Sequence, residues 1–245
     1  MEAQKAYGKQ AHNIQVYMAK FCKDKPLMNM YDLPDWIIPI QAGAVLTAER
    51  VCSLLDNSGR NISCKNANYC ELTVLYWIWK NQICKNTDIC ARYYGLFHYR
   101  RFLDIREEDI KYINEGSIDV ILPFPTVHEP DICEHHERYI CSSDWDAAKQ
   151  ALKELQPEYY AAYDNIFSGK YLYNYNMIIA KTEVLKKYCE WLFPILERVE
   201  ELSVPKGSER ADRYIGYIGE SLLTLYFMHN ENRLNIVHTG KIMLT

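Results

Sequence analysis

Short apolar runs alternate with longer amphipathic segments along this chain. Apolar and β-branched residues bounded by turn residues predict strands over 13–19, 36–40, 93–98, 118–123 and 175–181. Apolar residues at helical spacing predict helices over 68–81, 144–155, 184–199 and 213–228. Strands that alternate with helices are typical of an α/β fold with a mostly parallel central sheet. We expect residues 1–245 to form one such domain.

The predicted helix over 68–81 has a polar start. Asn68 stands at the cap position, and Glu71 follows three residues later, as in a capping box. We therefore expect these two side chains to bind free backbone N–H groups at the start of the helix.

The strand that ends at His98 runs directly into Tyr99, Arg100 and Arg101. Open α/β sheets bind ligands at strand ends, and the arginine fork matches phosphate. If alternation continues, His98 and Arg100 share one face while Tyr99 and Arg101 share the other. We favour a site for a small anionic ligand. The alternative is a solvated surface on which the arginines pair with Asp104, Glu107 and Glu108.

Charge and cysteine content narrow the class of protein. The 28 Lys and Arg residues against 32 Asp and Glu residues give a net charge of −4, which argues against nucleic-acid binding. Nine cysteines, an odd number, fit a reducing cytoplasm. The start, Met1–Lys5, lacks the apolar core of a signal peptide, and no run approaches the roughly 18 apolar residues of a membrane span. We expect a cytoplasmic protein, peripheral to a membrane at most.

Glu220 is a carboxylate within an otherwise apolar helical stretch. Burial would raise its pKa and suit it to act as a general base. An ion pair with Arg210 or Arg213 that fixes the helix is the equally weighted alternative.

Two other polar groups raise the question of a metal. Asp144 and Asp146 have the spacing of an acidic pair that holds a divalent ion, but their place at a helix start favours capping. His135 and His136 lie in the aperiodic stretch after Pro123, a candidate active-site loop, without a partner at zinc-motif spacing. Glycine-rich phosphate loops are also absent from the sequence, so side chains would have to hold any phosphate.

Several motifs occur together in order along most of the chain. They lie at 38–44, 61–73, 76–81, 95–101, 175–178, 188–193 and 216–223. In this combination the chain resembles a family of bacterial capsular and exopolysaccharide biosynthesis proteins, long known as a domain of unknown function and regarded as glycosyltransferases. The resemblance implies a GT-A-like nucleotide-sugar-binding fold.

The resemblance also implies a donor and a way of holding it. Arg100 and Arg101 stand where related enzymes place metal-binding aspartates, so no divalent metal or other cofactor is expected, and guanidinium groups would neutralise the diphosphate. Some relatives are similar to galactofuranosyltransferases, which implies UDP-galactofuranose as donor. Relatives carry Thr-His at the end of the first strand, where this chain has Ala19 and Lys20. Lys20 would supply a point charge near the diphosphate.

We therefore expect an inverting sugar transfer to a surface polysaccharide or lipid-linked oligosaccharide. Glu220 would act as base, Arg100 and Arg101 would hold the diphosphate, and His98 would orient the phosphate or donor sugar. Further donor contacts are expected from Ala19, Lys20, Gln41, Gly43, Asn66, Asn68 and Glu71. Acceptor contacts are expected from Asn176, His135, His136 and Arg213.

Two other functions remain open from the sequence. One is a non-catalytic carbohydrate or nucleotide-sugar binding protein of a polysaccharide assembly complex, with the 20 tyrosines as its surface. The other is a metal-dependent phosphoesterase that uses His135, His136 and the aspartates.

Overall fold

A computed structural model describes residues 13–28, 32–84 and 91–245, so the prediction on Met1–Lys5 lies outside the described residues. The strands are β1 Ile14–Lys20, β2 Ile37–Gln41, β3 Leu54–Leu55, β4 Tyr93–His98, β5 Arg101–Leu103, β6 Val120–Pro123, β7 Thr126–Val127, β8 Tyr171–Leu172, β9 Ile178–Lys181, β10 Ile236–Thr239 and β11 Lys241–Met243. The helices are α1 Asn66–Tyr69, α2 Leu72–Ile78, α3 Glu107–Glu115, α4 Ile132–Glu137, α5 Ser142–Leu155, α6 Pro157–Phe167, α7 Thr182–Leu202 and α8 Tyr214–His229.

The strands of the central sheet are mostly parallel. Within the described residues their order is β10-β6-β9-β4-β1-β2-β3, and β5 and β11 extend from β4. β1 runs parallel to β2 and β4, and β6 to β10, whereas β9 is antiparallel between β4 and β6. The predicted α/β class is therefore confirmed. Because Ala19 pairs with His98, the carboxyl ends of β1 and β4 reach the same edge.

Both faces of the sheet are buried, and alternate residues of the central strands enter different clusters. Tyr17 and Leu96 belong to the larger cluster, which includes residues of α2, α5, α7 and α8. Val16 and Phe97 belong to a smaller cluster with α3. This double burial explains why the central strands read as nearly continuous apolar runs. None of the helices in the described part of the chain is long and apolar enough to cross a membrane.

The helix predicted over 68–81 is broken at Cys70. Cys70 adopts a left-handed φ of 51°, so α1 ends before it and α2 begins at Leu72. The predicted capping box is wrong: the Asn68 amide donates to the Gly207 carbonyl, and Glu71 makes no side-chain cap bond. Both side chains instead make contacts with distant parts of the chain, Asn68 with Gly207 and Glu71 with Asn176.

The stretch between Pro123 and Asp144 is more ordered than its sequence indicates. It contains β7 and α4, and Asp131 caps α4 by accepting from the Glu134 N–H at 2.9 Å. The tyrosine-rich stretch that follows α5 forms α6. Both helices are short, so their apolar periodicity is weak.

Asp144 lies in the first turn of α5 but does not cap it. Both of its oxygens accept from the Arg210 guanidinium at 2.7 Å, and its side chain is 0% exposed. Arg210 also pairs with Asp212 and lies over the Tyr214 ring. The capping prediction is therefore replaced by a buried bidentate ion pair, which ties α5 to the segment before α8.

We expect Asp144→Ala to lower the free energy of unfolding by about 3–5 kcal/mol, because it leaves the buried Arg210 fork without its main partner. Urea unfolding measures the loss. Asp146→Ala is the matched control, since Asp146 is exposed on the same helix, and it should change stability little. Equal effects of the two substitutions would contradict the structural role of the pair.

Candidate active site

A cleft of about 750 Å³ opens at the carboxyl edge of β1, β2 and β4. The segment after β1, the turn after β2 and residues 98–101 at the end of β4 line it. Tyr175, the α1–α2 junction and the first turns of α8 line it as well. The cleft therefore lies at the sheet edge where open α/β folds bind ligands.

Cationic side chains are concentrated in this cleft, although the chain as a whole is acidic. Five line it: Lys20, Lys23, Arg100, Arg101 and Arg213. Three carboxylates line it as well: Asp24, Glu71 and Glu220. Such a surface suits an anionic ligand next to a group that can accept a proton.

His98 and Arg101 are neighbours across a tight hairpin. β4 ends at His98 and β5 begins at Arg101, and these two residues pair, so Tyr99 and Arg100 form the turn. Strand alternation therefore ends at His98, because the chain turns back there, and His98, Tyr99, Arg100 and Arg101 all line the cleft. The Arg100 carbonyl accepts from the Leu244 N–H at 2.8 Å, which anchors the turn.

Each of the two arginines has one unsatisfied buried donor. The Nε atoms of Arg100 and Arg101 are buried without a hydrogen-bond partner. Among the described residues neither arginine forms an ion pair; the surface pair nearby joins Arg106 to Glu108 at 3.6 Å. The alternative of a solvated charge cluster is therefore not what the structure shows. Unsatisfied buried donors cost free energy. The arginines themselves line the cleft, where their positive charge suits an anion.

Glu220 is partly buried at the end of the cleft, and its pKa is raised to about 8. Burial is the main cause, and the nearby Glu71 adds to it. Hydrogen bonds from the Tyr175 N–H and the Asn174 amide, together with Arg101, oppose the rise. The expected ion pair to Arg210 or Arg213 is not formed, since Arg210 binds Asp144 and Arg213 donates to Cys70 Sγ at 3.2 Å.

Glu71, Asn176 and His98 form a connected polar group beside Glu220. Asn176 Nδ2 donates to Glu71 Oε1 at 2.7 Å and to the Gly216 carbonyl at 3.2 Å. His98 Nε2 lies 3.5 Å from Glu71 Oε1 and hydrogen-bonds the Tyr175 carbonyl. These contacts fix the imidazole and the Glu71 carboxylate relative to one another.

Backbone strain is concentrated at the same place. Within the described residues, positive φ at non-glycine positions occurs at Cys70, Tyr175, Asn176 and Arg213. Three of these residues line the cleft, and Asn176 holds Glu71. Left-handed backbone costs L-residues free energy and persists where the surroundings enforce it, typically at functional sites.

Gln41 and Gly43 determine the shape of the turn after β2, which contributes residues to the cleft. The Gln41 amide bonds the Glu49 carbonyl at 2.8 Å and the Val51 N–H at 2.9 Å. Gly43 has a φ of 61°, and a Cβ there would lie 2.7 Å from Asn66 Oδ1. Gln41 and Gly43 are not among the residues that line the cleft, and their contacts shape the turn after β2.

The predicted site residues separate into two groups. Those that line the cleft are Ala19, Lys20, Asn66, Glu71, His98, Arg100, Arg101, Arg213 and Glu220. Those that stand outside its lining are Gln41, Gly43, Asn68, Asn176, His135 and His136. His136 is buried with Nε2 3.0 Å from Ser221 Oγ, which explains why it does not reach the cleft, and Asn68 is held by Gly207.

The lining residues that were not predicted include Asp24, Cys70, Tyr175 and Tyr217. Asp24 follows β1, and extending the strand-end rule by four residues finds it. Burial raises its pKa, although Phe21 N–H, His98 and Arg100 lower it. Cys70 and Tyr175 have left-handed backbone conformations, which cannot be predicted from their residue types. Their place in the cleft was therefore not predicted.

No group of three or more His, Cys, Asp or Glu side chains within residues 13–28, 32–84 and 91–245 is arranged to hold a metal ion. Asp144, which a phosphoesterase would need as a ligand, gives both oxygens to Arg210. That bidentate pair argues against the phosphoesterase alternative.

Residues 22–231 match the sequence model of a family described as a domain of unknown function, DUF4422. The chain belongs to this family. Among solved structures, the DUF4422 chain is similar to the apo structure of the bifunctional glycosyltransferase WbbM, with a TM-score of 0.78 and 26% identity. The match covers 95% of this chain and 45% of the WbbM chain. No curated protein matches the sequence. The likeness is consistent with the GT-A-like fold that the resemblance implies.

We expect Glu220→Gln to stabilise this DUF4422 chain increasingly as the pH rises from 4.5 to about 8. In that window the unfolded chain ionises Glu220 while the folded chain keeps the proton, so the wild type loses stability with rising pH. The gain should reach about 3–5 kcal/mol.

Urea unfolding at several pH values measures this gain. Glu115→Gln, on the exposed side of α3, is the control and should leave the pH dependence unchanged. A constant difference between Glu220→Gln and the wild type at all pH values would contradict the raised pKa.

Proposed function

We propose that this chain is a glycosyltransferase that moves a sugar from a nucleotide-sugar donor to a glycan acceptor. The observation that carries the proposal is the cleft itself, in which two arginines with unpartnered buried Nε atoms accompany a carboxylate of raised pKa. The likeness to a structure of a glycosyltransferase supports the reaction class. UDP-galactofuranose is the donor that we propose to test first.

The donor would bind at the ends of β1, β2 and β4. The nucleoside would lie near the turn after β2, which Gly43 shapes and Asn66 borders. Arg100, Arg101 and Lys20 would neutralise the diphosphate without a metal ion. Their charges would act most strongly when the leaving group develops its full charge in the transition state.

The transfer that this arrangement suits is an inverting displacement. Glu220 takes the proton of an acceptor hydroxyl, and the hydroxyl oxygen forms a bond to the anomeric carbon of the donor sugar. The bond from that carbon to the diphosphate oxygen breaks, and its electron pair leaves with the nucleoside diphosphate. Arg100 and Arg101 stabilise that charge, and His98 orients the phosphate or the donor sugar.

The acceptor that we propose is a growing surface polysaccharide or a lipid-linked oligosaccharide of capsule or exopolysaccharide synthesis. An acceptor of this kind would bring the protein to the inner face of the cell membrane as a peripheral protein. Arg213, at the rim of the cleft, is available to such an acceptor.

We expect Arg100→Ala and Arg101→Ala each to lower the turnover of UDP-galactofuranose by about 10²–10³-fold, because each removes charge stabilisation of the leaving group. Release of UDP, with and without glycan acceptors, measures turnover. Arg106→Ala is the matched control, since Arg106 is an exposed arginine just beyond β5. Undiminished turnover by both arginine variants would rule out the proposed clamp.

The same assay tests the role of metal and the enzyme assignment. EDTA should leave turnover unchanged; a loss that manganese restores would replace the arginine clamp by a metal site. Saturable binding of UDP-sugars with no release of UDP from any donor or acceptor would favour the non-catalytic binding protein.

We expect the rate of transfer to rise with pH through about 8, because Glu220 must be ionised to accept the proton. Glu220→Gln should lower transfer by about 10²–10⁴-fold and abolish this inflection. Asp24→Asn is the comparison, since Asp24 is the other cleft carboxylate of raised pKa. If Asp24→Asn removes the inflection and Glu220→Gln does not, Asp24 is the base.

A further inference from the structure

A series of rings leads from the cleft to the surface. Tyr217 lines the cleft, and its ring stacks on Tyr139 with centroids 5.2 Å apart and an interplanar angle of 27°. His135 lies beyond Tyr139, with ring centroids 5.4 Å apart. We call Tyr217, Tyr139 and His135 the aromatic wall.

The outer part of the aromatic wall is open to solvent. Tyr139 lies two residues after the end of α4 and is 51% exposed, although it stacks on a cleft residue. A tyrosine ring combines an apolar face with a hydroxyl. Exposed apolar surface continuous with a cleft is a recurring sign of a ligand site.

Polar groups stand beside the aromatic wall where a ligand's hydroxyls would need them. Glu220 is three residues after Tyr217 on α8, so both side chains lie on one side of that helix. The Arg213 guanidinium lies 5.9 Å from the Tyr217 ring centroid, and its residue has a left-handed φ of 67°. Strained backbone thus holds a cation at the inner end of the wall.

We propose that the aromatic wall is an acceptor subsite that binds a saccharide ring of the glycan to be extended. The C–H face of the sugar packs against Tyr217 and Tyr139, and Arg213 binds its hydroxyls. The acceptor hydroxyl then points to Glu220, and the rest of the glycan leaves the cleft past Tyr139. This inference rests on the proposed function, since it assigns the acceptor side of the same cleft.

A nucleoside base could also stack on tyrosines, but its place is less suitable here. The arginines that suit a diphosphate lie on the hairpin between β4 and β5, whereas the aromatic wall is built from α8, α4 and the segment after α4. The wall also continues outward to solvent, as a chain of several sugar units requires. The saccharide is therefore the better fit.

Saturation-transfer NMR tests the subsite, with methyl β-galactopyranoside, methyl α-mannopyranoside and lactose as probes. Irradiation of the aromatic protons of the protein should transfer saturation to the ring C–H protons of at least one probe. Tyr139→Ala and Tyr217→Ala should each weaken binding of that probe by about two- to tenfold, the size of one aromatic stacking contact. Tyr139→Phe should retain binding, because it keeps the ring.

Tyr112→Ala is the control, since Tyr112 is 71% exposed on α3. Melting temperatures show whether each variant is folded, and Tyr139→Phe tests the wall without removing its ring. The proposal is overturned if no probe receives saturation, if Tyr139→Ala binds like the wild type, if Tyr139→Phe loses binding like Tyr139→Ala, or if UDP displaces the probe.

Hydrolysis of UDP-galactofuranose by the wild type, without acceptor, separates this inference from the proposed function. Saccharide binding that depends on Tyr139 without any donor hydrolysis would support the aromatic wall and count against the glycosyltransferase. If UDP-galactofuranose is hydrolysed but no saccharide probe receives saturation in the NMR experiment, the enzyme is supported and the aromatic wall is overturned as an acceptor subsite.

Discussion

The geometry of the cleft depends on the left-handed backbone at Tyr175 and Asn176. The Tyr175 N–H binds Glu220, its carbonyl binds His98, and its ring lies 4.3 Å from the Arg101 guanidinium. The next residue, Asn176, holds Glu71. Each left-handed residue costs about 1–3 kcal/mol, and these hydrogen bonds offset that cost. One strained dipeptide therefore sets the positions of the proposed base, the imidazole and one arginine.

The same geometry makes the site less stable than a neutral core would be. Burial and the nearby charge of Glu71 both disfavour the charged form of Glu220. The charged form of Lys241 is also disfavoured, because burial and Arg101 lower its pKa. A fold that keeps such groups together stores free energy that a bound anion and a bound sugar would release.

Much of the fold and part of the site follow from local sequence pattern. The strand-end rule finds His98, Arg100 and Arg101, because parallel strands bring their carboxyl ends to one edge. Local pattern fails where a distant residue decides the structure. Asp144 has the position of a helix cap, yet its carboxylate forms an ion pair with Arg210, 66 residues away. The break at Cys70 likewise arises from tertiary packing, since cysteine has no preference for left-handed backbone.

The last strands belong to the site as well as to the sheet. The family match ends at residue 231, but β10 and β11 follow it, and β11 pairs with β5 at Arg101. Just beyond β11, Leu244 holds the Arg100 carbonyl, and Lys241 lies 5.2 Å from the Tyr175 ring centroid. Arg100 lies in a two-residue turn, so the position of its guanidinium depends on β11 and Leu244, which hold that turn. The proposed arginine clamp thus depends on residues outside the matched segment, and a motif confined to the turn after β4 would not be sufficient to build it.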